Sequence, residues 1–140
     1  MKYIIPFLIL LLTTPIYADI TVDMLNKRDD GGKMVYSEDI SRIDLGEMIT
    51  WLPTDKGHNV EFIAGPEGFE IPKKSKLNKE YSMVFNVPGV YLYQCTPHKA
   101  MGMIAIVVVG DDTSNKDTIL KASKVKGKSK KKLKELLENL

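Results

Sequence analysis

Val90-Tyr91-Leu92-Tyr93-Gln94-Cys95-Thr96-Pro97-His98-Lys99-Ala100-Met101-Gly102-Met103, running on into Ile104-Ala105-Ile106-Val107-Val108-Val109, decides the fold. Its two ends are rich in β-branched and aromatic residues and read as strands. The second has no polar side chain from Met103 to Val109 and suits a central strand covered on both faces. Between them, Cys95 to Met103 offers a thiol, an imidazole and thioethers. Cys95 ends one strand and Met103 begins the next, so a sheet holds both ends of the loop.

Outward from this hairpin, the chain from Ile20 to Gly110 is a series of short strands and turn signals. Ile20 to Met24 alternates, Asp29-Asp30-Gly31-Gly32 turns, and Met34 to Tyr36 is a short strand. Ser41 to Leu45 alternates around Ile43. Met48 to Leu52 is a strand ended by Pro53, and His58 to Ile63 is another. Gly65 to Pro72 is a loop. Tyr81, Met83, Phe85 and Val87 then share one parity. The pattern predicts one all-β sandwich domain over residues 19–112.

Residues 113–140 change character. Ser114, with Asp117 three residues on, is placed to cap a helix whose Ile119, Leu120 and Ala122 face inward. Gly127 breaks that run, and Ser129 is placed to cap a second helix. There Leu133, Leu136, Leu137 and Leu140 recur at helical spacing under a lysine-covered face. The expectation is a helical pair docked on the sandwich.

Residues 1–18 read as an export signal: Lys2, an apolar run from Ile4 to Leu12, and a small residue at Ala18. The run is short for a bilayer span, so no stable membrane association is expected after its removal. Residues 19–112 carry 10 basic and 15 acidic side chains, and residues 113–140 carry 9 and 3. The body is mildly acidic and the tail basic; no nucleic-acid partner is expected.

Cys95 is the only cysteine, and His58 and His98 are the only histidines. In an oxidising compartment a lone cysteine cannot form an internal disulfide, and metal coordination would protect it. One Cys, two His and a Met form the ligand set of a mononuclear copper electron-transfer site, thiolate and thioether suiting Cu(I) and imidazole both oxidation states. The expected ligands are His58, Cys95 and His98, with Met103 as the weak axial one and Met101 as its rival. Zinc could use the same atoms. A catalytic metal needs an open position; here four ligands fill the site, so an enzyme is not expected. Asn59, beside one ligand, is placed to bridge towards Thr96 beside another and so orient Cys95.

Cys95, His98 and Met103 in the spacing Cys-x2-His-x4-Met resemble the blue-copper cupredoxins. Thr54-Asp55-Lys56-Gly57-His58-Asn59-Val60-Glu61, Cys95-Thr96-Pro97-His98, Ala100-Met101-Gly102-Met103, Met24-Leu25-Asn26-Lys27 and the two-helix tail are similar to the pseudoazurin branch. The resemblance implies an eight-stranded Greek-key β-sandwich with two C-terminal α-helices and one copper per chain. It implies a monomeric periplasmic one-electron carrier, with copper nitrite reductase or a cytochrome c as candidate partners. They would dock at an apolar patch around His98, lined by Pro97, Met101 and Met34. A periplasmic copper chaperone or store is the alternative. Lys27, Arg28, Lys33, Lys56 and Lys99 are candidates for a basic rim, diluted by Asp29, Asp30 and Asp55. Gln94 and Lys99 depart from the branch's pattern, which often has a lysine and an aromatic residue there.

Overall fold

The computed structural model describes residues 18–122 and 124–140. The elements are β1 (Ile20–Lys27), β2 (Lys33–Tyr36), β3 (Ile40–Ile43), β4 (Met48–Leu52), β5 (Glu61–Ala64), β6 (Tyr81–Val84), β7 (Gly89–Gln94), β8 (Ile104–Val109), α1 (Lys116–Ala122) and α2 (Lys128–Glu138). The strands form two four-stranded sheets, ordered β2-β1-β4-β6 and β3-β8-β7-β5. β1 runs parallel to β4 and β3 parallel to β8; the other neighbours are antiparallel. The sandwich and its two C-terminal helices are as the strand and helix patterns predict, and the eight-stranded Greek-key arrangement is as the resemblance implies.

Side-chain parity explains the layering. β7 and β8 pair from Gly89 opposite Val109 to Gln94 opposite Ile104. Tyr91, Tyr93 and Cys95 share one parity, and Met103, Ala105, Val107 and Val109 another; both sets enter the core between the sheets. There Trp51 meets Tyr93 and Phe62 edge-on, with ring centroids 5.2 and 5.7 Å apart. The alternate residues Val90, Leu92, Ile104, Ile106 and Val108 face outward into a second core, closed by Ile119, Leu133, Leu136 and Leu137 of the helices. Both strands are therefore buried along their whole length. Each such aliphatic side chain contributes about 1.5–3 kcal/mol on burial, and helices this short depend on such packing to be stable.

The structure corrects several local expectations. Ser114 does not cap α1; the helix opens on Asn115, whose carbonyl accepts from Ile119 N at 3.0 Å. The Asn115 side chain instead clamps β7, accepting from Val90 N at 2.8 Å and donating to Val90 O at 2.9 Å. Gly127 is the N-cap of α2 and Ser129 lies inside its first turn. Ala122 is exposed. The segment from His58 to Val60 precedes β5 rather than belonging to it, because its backbone bonds to residues 75–78 and not to a neighbouring strand: Ser75 N to Val60 O at 2.9 Å, Asn78 N to His58 O at 3.0 Å. The expected export signal lies outside the described residues except for Ala18. Among the described residues no helix is long and apolar enough to cross a membrane.

Candidate metal centre

The β7–β8 hairpin sets Cys95 and Met103 face to face across one end of the sandwich, with Cys95 N donating to Met103 O at 3.0 Å. Both side chains are fully buried, in the same core cluster as Tyr93. The loop between them is built on the His98 carbonyl, which accepts from Met101 N at 3.0 Å. His98 is half-buried, while Pro97, Lys99, Ala100 and Met101 are exposed. Gly102 closes the loop at φ 97°, a conformation that side chains other than glycine's adopt only with strain.

His58 comes from the segment before β5 and is fully buried. Its Nδ1 lies 3.7 Å from Cys95 Sγ, and His98 Nδ1 lies 3.4 Å from the same sulfur. One ligand atom from each of the three residues fits within a span of 4.8 Å. Every group in the cluster is a soft or borderline donor, the chemistry copper requires. The other nitrogen of His58, Nε2, lies 2.8 Å from Asn26 Oδ1. Donation from Nε2–H to that oxygen leaves Nδ1 with a free lone pair facing the sulfur.

The surroundings disfavour charge unless a cation is present. Burial pushes the Cys95 thiol up, opposed by the N–H groups of Asn59 and His98 aimed at the sulfur. Burial, then the nearby His98, pushes His58 down, with Asp55 opposing. A bound cation would favour the thiolate and a neutral imidazole as its donors here.

The Asn59 bridge forms as expected and is larger than expected. Asn59 Oδ1 accepts from Thr96 N at 2.8 Å, and Asn59 Nδ2 donates to Thr96 Oγ1 at 3.0 Å and to Ser75 O at 3.2 Å. Thr96 Oγ1 donates in turn to Glu61 Oε2 at 2.8 Å, which also accepts from Gln94 Nε2 at 2.9 Å. Burial would raise the Glu61 carboxyl, but these two hydrogen bonds and Lys74 and Lys99 hold it below its ordinary value. Tyr36 hydroxyl donates to Asn59 O at 2.7 Å from the opposite sheet. Sequence reasoning found Asn59 by its place beside a ligand; Asn26 and Glu61 carry no such signal.

The expected rim is also corrected. Arg28 is engaged by Asp30 at 2.7 Å and Asp39 at 3.0 Å, and so is not available to a partner. Lys27, Lys33, Lys56 and Lys99 remain exposed. Beside the ligand loop, Lys99 and Ala100 face Lys124, Val125 and Lys126 across a groove of about 670 Å³, floored by Ile63 and Gln94.

The sequence pattern of copper-binding proteins of the plastocyanin/azurin family matches residues 22–110. A putative pseudoazurin of Rhizobium leguminosarum bv. viciae is 44% identical over 119 residues, covering 83% of this chain and 76% of that protein. The pseudoazurin of Paracoccus pantotrophus is 42% identical over 114 residues, covering 80% and 77%. The crystal structure of pseudoazurin from Methylobacterium extorquens AM1 superposes with a TM-score of 0.78 at 37% identity, covering 87% of this chain and 98% of that one. Sandwich, donor cluster, helical tail and these likenesses agree, and the chain belongs to the pseudoazurins, within the plastocyanin/azurin family of copper-binding proteins.

Proposed function

We propose that the protein is a one-electron carrier whose copper is held by His58 Nδ1, Cys95 Sγ and His98 Nδ1, with the Met103 thioether as the weak fourth ligand. The observation that carries this reading is the convergence of three donors within 4.8 Å at the end of a two-sheet framework. Copper, when bound there, supplies a couple between Cu(II) and Cu(I). Met103 is preferred to Met101 because it is fully buried beside Cys95, whereas Met101 is 52% exposed.

The chain's own residues keep the donors still. Asn26 sets the His58 ring, and the Asn59–Thr96–Glu61 network ties the strand carrying Cys95 to the segment carrying His58. Donors that move little between oxidation states lower the cost of transfer, and donors so held favour a carrier that retains its metal over a chaperone that hands it on. With His98 half-buried and Pro97 and Met101 exposed around it, electrons leave through the His98 edge to a docked redox protein. Copper nitrite reductase and a cytochrome c are the candidates. Docking is brief and small, below about 1,200 Å². Lys27, Lys33, Lys56 and Lys99 steer an acidic partner. The protein works as a monomer in the periplasm, exported by residues 1–18, and it is not itself an enzyme.

The test is addition of Cu(II) to the metal-free protein. An intense visible thiolate-to-copper band should appear and be absent in Cys95→Ala; a colourless cupric protein would overturn the reading. Stopped-flow oxidation of the reduced protein by each candidate partner should slow as ionic strength rises. Rates indifferent to salt would remove the steering lysines from it.

A further inference from the structure

Ser129 is the clearest polar residue left over. It is fully buried in the first turn of α2. A serine there ordinarily bonds the helix's own free N–H groups. The N-terminal end of α2, opened by Gly127, has no side-chain cap. The Ser129 hydroxyl instead donates to the carbonyl of Lys99, the residue that follows His98.

The two segments also run side by side, as the space around two glycines shows. A Cβ placed on Gly127 would come to ordinary van der Waals distance, 3.5 Å, from the Ala100 carbonyl oxygen. A Cβ on Gly102 would lie 3.9 Å from Lys128 Cβ. Gly127 holds φ 62° and ψ −137°, a region nearly confined to glycine. Residues 127–129 of the tail therefore lie alongside residues 99–102 of the ligand loop, joined by the Ser129–Lys99 bond. Among the described residues, the backbone hydrogen bonds within this part of the loop run back to the Cys95, His98 and Gly102 carbonyls. The rest of α2 is anchored independently, with Leu133, Leu136 and Leu137 in the outer core.

We infer that the start of α2 is a brace on the metal loop and that Ser129 is a positioning residue for His98. It acts locally, through the bond from its hydroxyl to the Lys99 carbonyl. The inference rests on the reading that residues 95–103 hold the metal, but its main test does not need the metal.

Amide hydrogen exchange on the metal-free protein reads the brace directly. In Ser129→Ala the Met101 and Met103 amides, both bonded to the His98 carbonyl, should exchange roughly three- to tenfold faster, the worth of one hydrogen bond. The β7–β8 ladder amides should be unchanged. Ser129→Thr, which keeps the hydroxyl, should restore the loop rates. Gly127→Ala, which leaves Ser129 intact but disallows the backbone turn, should speed the same amides. Leu133→Ala, which leaves a cavity in the outer core but keeps the Ser129 hydroxyl and its bond to Lys99, is the control for general destabilisation. After copper loading, Ser129→Ala should shift the visible thiolate-to-copper band and Leu133→Ala should not. Wild-type loop rates in Ser129→Ala, or equal loop acceleration in Leu133→Ala, would overturn the brace. Failure of the copper band in the wild-type protein would overturn the metal reading alone.

Discussion

Removing the Asn59 side chain tests whether the network behind the donors carries stability as well as geometry. Asn59→Ala deletes three hydrogen bonds, two with Thr96 and one to the Ser75 carbonyl, at a site only 2% exposed. Thr96 Oγ1 keeps Glu61 as its acceptor. Thr96 N–H and the Ser75 carbonyl lose their side-chain partner in a partly buried setting. At about 1 kcal/mol for each bond lost, discounted for the hydroxyl that stays paired, the cost is about 2–3 kcal/mol. Urea unfolding of the metal-free protein measures it, read by fluorescence of Trp51, the single tryptophan and fully buried beside Tyr93. A cycle with Thr96→Ala isolates the bond from Asn59 Nδ2 to Thr96 Oγ1, because the backbone bond from Thr96 N survives that second change. Its coupling energy should be about 1 kcal/mol. A loss below about 0.5 kcal/mol at an unchanged denaturant slope would refute the reasoning, since that is the scale of an ordinary surface substitution.

Leu133→Ala should cost about 2–5 kcal/mol by leaving a cavity under α2, measured by thermal or urea unfolding, with the copper spectrum preserved. Asn26→Ala frees the His58 ring and should weaken copper binding about 10- to 100-fold in a competition titration, with little change in the stability of the metal-free protein. Acid sensitivity should trace to the Arg28 cluster. Burial would raise the Asp39 carboxyl, but hydrogen bonds from Arg28 and Lys132 hold it below its ordinary value, while Arg28 holds Asp30 down to about 2. A folded-state value below the unfolded one means stability that is present above about pH 4 and is lost as pH falls towards 2. Asp39→Asn should therefore lower stability at neutral pH and flatten that acid limb in unfolding curves taken from pH 6 to 2.

The legible parts of this chain were those encoded by parity or scarcity. Two apolar runs flanking Cys95 to Met103 predicted a hairpin, and its parity sends both sulfur groups inward. His58 was legible because only one other histidine exists. What escaped was the polar pairing between distant segments. Asn26 reaches His58, and Glu61 collects Thr96 and Gln94, through contacts that no periodicity records. Arg28 looked like a free rim cation because Asp39, its second partner, arrives only after the chain has turned through β2. Ser114 and Ser129 both matched the helix-cap pattern. A neighbouring asparagine and a glycine took those ends of the helices, which left the Ser129 hydroxyl to reach the ligand loop.

The parallel pairing of β3 with β8 sets an order of events. Ile40 lies opposite Ile106, so the sheet that carries Cys95 cannot close until nearly the whole sandwich sequence is present. Contacts this distant along the chain form late and slowly. Placing the donors takes more than the strands nearest them: the His58 carbonyl is held by Asn78, and Cys95 is bonded to Met103 across the hairpin. The folded arrangement of the site thus draws on β8 and on residues 75–78 as well as on the donors themselves. The donor set spans residues 58 to 98 and comes together within 4.8 Å in the finished fold, so a metal-binding assay doubles as a measure of how much of the chain has reached its final topology.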